Sequence, residues 1–356
     1  MKNLRKTLSL IIIIIINILL ADNHQCSAYP VINNNSVKPI NVGVFIYELD
    51  DPYFSMIRQS LEDIKKENGT KIEFTYFDAK GNQLTQNESI DRALKDKFDV
   101  LIVNLVDQNL NKIQGILNEI IDKNIPLIIY ADPNKELLNY VKSYKKVIFV
   151  ASDIKQSGEL QGKILIDLWN ANKDGIDKNK DNKLQYIMFH GDSDSPEAIS
   201  RTKEVIEALN EAGIKTEELA LQFCDWKELC AENAIQLLYF KFGNKIEAII
   251  SNNDAMAIGA IKGLQKYGYN KGDKSRYIPV VGVDGITEAK DLIKKGLMTG
   301  TVVQDSRKRA EIFYYAALNM ALGNPPLLNT NYKFDETGII VRSPYYEYTS
   351  TSSNNS

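Results

Sequence analysis

Glu247-Ala248-Ile249-Ile250-Ser251-Asn252-Asn253-Asp254-Ala255-Met256-Ala257-Ile258-Gly259-Ala260 carries the reading that decides the fold. Its opening is a short, nearly continuous apolar run, the pattern of a strand buried on both faces. The side chains of Asn252, Asn253 and Asp254 then break the run. Apolar and small residues resume at helical spacing, so Asp254 is read as the N-cap of a helix over 255–267. A buried strand leading through a polar turn into a helix is half of a parallel β-α-β unit.

The unit recurs in both directions. Strands are expected at 42–47, 72–77, 100–104, 126–130, 147–150, 184–190, 218–222, 247–251, 278–283 and 299–303. Helical periodicity fills 54–68, 110–123, 157–172, 197–212, 227–242 and 255–267. Ten such strands exceed one comfortable sheet, which predicts an α/β chain of two doubly wound lobes.

The N-terminus has a different character. Lys2, Arg5 and Lys6 precede an apolar run over 8–20 that holds six consecutive isoleucines, and polar residues return at Asp22 before Ser27 and Ala28. This is the pattern of a secretory signal peptide over 1–28, with an uncleaved membrane anchor as the alternative. Cys26 is a weak candidate for lipidation, because Asn23-His24-Gln25 lacks small residues. Residues 29–40 are polar and read as a tether, and 349–356 as a disordered tail. Of three cysteines, Cys224 and Cys230 flank Trp226, where they either pair or stay as buried thiols. A net charge of −3 leaves no basic surface for a nucleic-acid backbone.

Ligands of doubly wound sheets bind beyond the carboxyl ends of the strands. Those ends carry Asp51 and Tyr53, Trp226, Asn253, Asp284 and Gln304. Carboxylates and amides match hydroxyls that both donate and accept, while aromatic rings match the apolar C–H faces of a sugar. Taken singly, each Asx is as well explained as a helix cap. Their coincidence is what points to a sugar.

At this level the chain resembles the periplasmic galactose/glucose-binding proteins of ABC sugar transport, from about Val42 to Tyr348. The resemblance is carried by Ile46-Tyr47 through Asp50-Asp51, Val103 to Asp107, Ser157-Gly158-Glu159-Leu160-Gln161-Gly162, Asn252 to Ala257, Gly282-Val283-Asp284 and Gly300-Thr301-Val302. It implies a type I periplasmic-binding-protein fold with a three-segment hinge. The N-terminal lobe would comprise 41–151 and 305–341, and the C-terminal lobe 152–304 and 342–348. It also implies ligand positions at Asp51, Tyr53, Arg201, Trp226, Asn253 and Asp284. Four positions depart from the family pattern: Ala131 and Ser195 replace an Asn and a His, and Glu197 and Gln304 stand for Asp and Asn. The first two losses affect the exocyclic hydroxymethyl, which makes a pentose such as xylose an alternative to galactose or glucose.

A further loop, Asp177-Lys178-Asn179-Lys180-Asp181-Asn182-Lys183-Leu184-Gln185, offers oxygens from Asp177, Asn179, Asp181, the Lys183 carbonyl and Gln185. The resemblance supplies Glu247 as the missing bidentate carboxylate, implying a structural Ca²⁺.

The function expected is an exported, monomeric, non-enzymatic receptor that delivers a monosaccharide to an ABC permease. Passing sugar occupancy to a membrane sensor is the alternative partnership. No phosphate loop or nucleophile elbow is present, His24 lies in the leader and His190 ends a strand. A glycoside hydrolase using Asp50 and Asp51 is the enzyme alternative. A sugar-responsive repressor would need a basic helix-turn-helix where the leader stands. The charged segments Arg58 to Lys66 and Arg307 to Glu311 read as solvated helix faces, with docking of a partner as the alternative.

Overall fold

The computed structural model describes residues 38–69 and 71–351. The signal peptide, Cys26, nearly all of the tether and residues 352–356 lie outside them. The described chain opens with β1 (Ile40–Ile46), α1 (Pro52–Glu67), β2 (Ile72–Asp78), α2 (Gln83–Ala93), β3 (Val100–Asn104) and α3 (Leu110–Asp122). It continues with β4 (Leu127–Tyr130), α4 (Lys135–Val141), β5 (Val147–Ala151), α5 (Ile154–Ile176), β6 (Lys183–His190) and α6 (Pro196–Glu211). The last elements are β7 (Lys215–Phe223), α7 (Glu228–Phe242), β8 (Ala248–Ser251), α8 (Asp254–Gln265), β9 (Val280–Asp284), α9 (Thr287–Lys294), β10 (Gly300–Gln304), α10 (Ser306–Ala321), β11 (Ile340–Arg342) and β12 (Tyr345–Thr349).

These strands form two six-stranded sheets, β11-β5-β4-β3-β1-β2 and β12-β10-β9-β8-β6-β7. All pairings are parallel except β10 with β12. The chain passes between sheets at three places: after β5, after β10 and after β11. Strands in the middle of each sheet are buried almost throughout, as their content rich in Val, Ile and Leu requires. β7 is an edge strand with partly exposed positions throughout. It runs past both ends of 218–222, because an edge strand needs no continuous apolar run. Thr349 ends β12 and pairs with Gly300, so it belongs to the sheet and not to a loose tail.

Most helices begin with an Asx or Ser cap at the end of the preceding strand. Asp51, Asn82, Asn109, Asn134, Asp153, Ser195, Asn253 and Asp305 each accept a backbone N–H from the first turn. Each cap satisfies an amide the helix cannot, and it seats a polar residue at the carboxyl edge of the sheet. In the second lobe, Gly158 and Gly162 allow α5 to press on α6. A Cβ there would come within 2.8 Å of Glu204 Cβ and 2.7 Å of Ala208 Cβ respectively.

Candidate ligand-binding site

A cavity of about 550 Å³ lies at the carboxyl ends of both sheets. The first lobe contributes Tyr47, Asp51, Tyr53, Asn104, Tyr130 and Ala131. The second contributes Asp192, Ser195, Glu197, Arg201, Trp226 and Asp284. Ser152, Gln304 and Tyr345 enter from the three crossovers, and Arg309 from α10. Of the ten positions expected to touch ligand, nine line this one cavity. Asn253 does not.

Asp51 ends the loop after β1, and its Oδ1 accepts from the backbone amides of Tyr53 at 2.8 Å and Phe54 at 3.1 Å. It is therefore a helix cap and a cavity wall at once. Burial raises its carboxyl pKa, against the pull of those two amides. Ser195 likewise caps α6 through Ala198, and its hydroxyl donates to Glu197 Oε2 at 3.0 Å.

Arg201, from α6, is buried. Its Nη1 donates to the Asn252 carbonyl at 2.6 Å, and Asp284 Oδ1 lies 3.9 Å away. Asp284 closes β9 with φ of 123°, a conformation L-residues rarely adopt, and accepts from Gln304 Nε2 at 2.7 Å. Such strain persists only where the surrounding structure holds the residue in place. Burial pushes the Asp284 carboxyl well above its ordinary range, and nearby Arg201 opposes that shift.

Trp226 is presented by a strained loop. Asp225 and Trp226 have φ of 46° and 68°. Cys224 and Cys230 are joined as a disulfide around them, with Cα atoms 5.4 Å apart. The Trp226 carbonyl accepts from Asn253 Nδ2 at 3.1 Å, and the Arg201 guanidinium lies 5.8 Å from the centre of its ring.

That hydrogen bond explains why Asn253 is not on the wall. Its amide is used at both ends, because Oδ1 also accepts from the Met256 amide at 2.9 Å. It holds the Trp226 loop. Asn253, and not Asp254, is the cap of α8. Asp254 turns away, accepting from Gly285 N, Ile286 N and Thr301 Oγ1 at 2.7, 2.9 and 2.7 Å. Arg309 is a second correction. The segment around it reads as a solvated face, yet Arg309 is 1% exposed and lines the cavity. Its neighbour Arg307 does face outward, pairing with Glu67 and Glu311.

Several wall residues lie outside the expected ligand positions. Tyr47 donates to Asp192 across the cleft at 3.4 Å, and Lys227 pairs with Glu48 between the same lobes. Tyr130 and Asn104 close β4 and β3 at the same carboxyl edge.

The 177–185 loop lies on the far side of the second lobe. Asp177 accepts from the amides of Asp181 and Asn182 at 3.0 Å each, and Asn182 has φ of 63°. Glu247 is buried beside the loop and accepts from the amides of Lys178 at 2.6 Å and Gln185 at 3.1 Å. Burial raises its carboxyl pKa. Gln185 Oε1 is buried with no hydrogen-bond partner, which leaves its lone pairs open to a cation. Among the described residues no three carboxylate, histidine or cysteine side chains converge as a metal set. This loop draws much of its oxygen from Asn179, Gln185 and the main chain, which suits Ca²⁺.

Residues 42–325 match the family model described as a periplasmic binding protein domain. The chain belongs to the periplasmic binding protein family. As a periplasmic binding protein it is 33% identical over 306 residues to the D-galactose/methyl-galactoside binding periplasmic protein MglB of Haemophilus influenzae, covering 85% of this chain and 88% of that one. It is 25% identical to a putative rhizopine-binding protein of Rhizobium meliloti over 79% of this chain and 84% of the relative. Its fold matches that of an ABC transporter periplasmic solute binding protein from Actinobacillus succinogenes, solved with D-allose. The TM-score is 0.73 at 19% identity, covering 89% of this chain and 100% of that one. This periplasmic binding protein therefore has the type I fold of two α/β lobes. No helix among its described residues is long and apolar enough to cross a membrane.

Proposed function

We propose that the protein is an extracytoplasmic receptor that binds one monosaccharide between its lobes and delivers it to an ABC importer. The observation that carries this reading is one cavity walled by Asp51 and Tyr53 from the first lobe and by Arg201, Trp226 and Asp284 from the second. Two aromatic rings and several buried hydrogen-bonding groups suit a ring of hydroxyls with apolar faces. The family and the galactoside-binding relative from Haemophilus influenzae support it. A ligand that touches both lobes stabilises the closed arrangement, and closure is the signal a permease can read.

The protein acts as a monomer, exported by its N-terminal leader, and performs no chemistry on the sugar. A Ca²⁺ ion held by Asp177, Asn179, Asp181, the Lys183 carbonyl, Gln185 and Glu247 would fix the 177–185 loop to the second lobe. Carboxylate oxygens that accept amides retain a second lone pair for the ion.

Calorimetric titration of the processed chain with galactose, glucose, xylose, ribose and arabinose tests the proposal. One-to-one binding in the micromolar range or tighter is expected for at least one sugar. Failure of all these sugars and their acid derivatives to bind would remove the receptor reading. A preference for xylose would assign the cavity to pentoses.

A further inference from the structure

Arg309 is the part of this cavity that a neutral sugar leaves unexplained. Its guanidinium is fully buried and lines the cavity. Nη1 donates to the Tyr130 hydroxyl and to Gln304 Oε1, and Nη2 donates to Ser152 Oγ. The guanidinium carbon lies 4.6 Å from the Tyr130 ring centre and 5.7 Å from that of Tyr53. Every one of these partners is neutral. Among the described residues Arg309 makes no ion pair, and its Nε has no hydrogen-bond partner. Arg201, the other buried guanidinium, differs in having Asp284 beside it.

Carboxylates are not scarce around the cleft, but several are already engaged. Glu48 pairs with Lys227, Asp107 with Lys112 and Asp132 with Arg342. Asp51 spends one oxygen on two backbone amides, and Asp284 lies beside Arg201 and accepts from Gln304 Nε2. An uncompensated positive charge in a desolvated site is unfavourable unless an anion arrives with the ligand. A guanidinium whose partners are all neutral matches the planar pair of oxygens of a carboxylate better than it matches a single hydroxyl.

We propose that the ligand is a monosaccharide bearing a carboxylate, of the hexuronic acid class, and that Arg309 is the residue that selects its charge. The inference rests on the sugar-receptor reading and narrows it. The pyranose ring would meet Trp226 and Tyr53, and the carboxylate would supply the counter-charge that Arg309 lacks.

The test is calorimetric titration of the full processed chain with galacturonate and glucuronate, their uncharged methyl esters, and galactose and glucose. The acid is expected to bind at least about tenfold more tightly than its own ester, the range of a charge-assisted pair. Arg309→Gln should lower acid affinity far more than ester affinity, collapsing that ratio, while Arg309→Lys should retain part of it. Equal or tighter binding of the ester or the neutral parent would overturn the inference and leave the receptor standing. So would an equal loss for acid and ester in Arg309→Gln, which marks a merely structural arginine. If Arg309→Gln does not fold, the acid-to-ester ratio of the native chain decides. Binding of none of the six compounds overturns the inference.

Discussion

Trp226 keeps its place in the cleft because position 191 has no side chain. A Cβ added at Gly191 would lie 2.3 Å from Cζ2 and 2.4 Å from Cε2 of the indole. Ordinary carbon–carbon contact needs about 3.5 Å, so Gly191→Ala drives the ring back by about 1.2 Å. The backbone behind the ring cannot easily follow. Asp225 and Trp226 already hold positive φ, the Cys224–Cys230 disulfide closes the loop, and Asn253 grips the Trp226 carbonyl. Gly191 itself is not at positive φ, so alanine strains nothing else locally. A ring covering about 50 Å² of a sugar's C–H face contributes about 1.3 kcal/mol, and aromatic geometry adds about 0.5 kcal/mol. Losing that contact raises Kd about 20-fold. Calorimetry with the tightest-binding sugar measures it, with Trp226→Ala as the reference for complete removal and a melting curve to check folding. A folded Gly191→Ala protein with native affinity would mean that the indole is not a sugar platform.

Other consequences follow from the second lobe. Chelation should lower the melting temperature of the native protein, and Glu247→Gln should remove that sensitivity; equal melting with and without chelator would exclude a bound structural cation. Replacing Cys224 and Cys230 by serine should cost about 2 kcal/mol in denaturant unfolding, as expected for a short closed loop, and should weaken sugar binding as well. Native affinity in the double variant would detach the disulfide from the site. Burial raises the Asp254 carboxyl to about 7, so the folded chain holds its proton more tightly than the unfolded chain, where the pKa is about 3.9. Its contribution to stability is present below about pH 4 and is lost as pH rises through about 7. Denaturation across that range should show a slope that Asp254→Asn flattens, and an unchanged slope would mean Asp254 is ionised in the fold.

Strand identity was readable where a strand is buried on both faces. Val100–Asn104 has the same ends in pattern and in structure, because a run of Val, Leu and Ile is what the middle of a covered sheet takes. The last two strands lack that pattern. Ile340–Arg342 is very short, and Tyr345–Thr349 is an antiparallel edge whose tyrosines give no period-two contrast. The cap of α8 lies one residue before the position the pattern predicts. Asn252, Asn253 and Asp254 are each able to cap a helix, and the choice is made by Gly285, Ile286 and Thr301, distant in sequence. Pocket positions at strand ends were legible as polar interruptions of apolar runs. Arg309 was masked by Arg307, Lys308 and Glu311 around it, yet it did leave a signal. Arg309, Ile312, Phe313, Ala316 and Ala317 fall on one helical stripe, all buried, so the arginine heads the apolar face of α10.

The crystal structure of the processed chain grown with its tightest-binding monosaccharide tests the central claim most directly. One sugar is expected between the lobes, in contact with Asp51 and Tyr53 on one side and with Trp226 and Asp284 on the other. A sugar seated on a single lobe, or outside the cavity these four residues line, would contradict it.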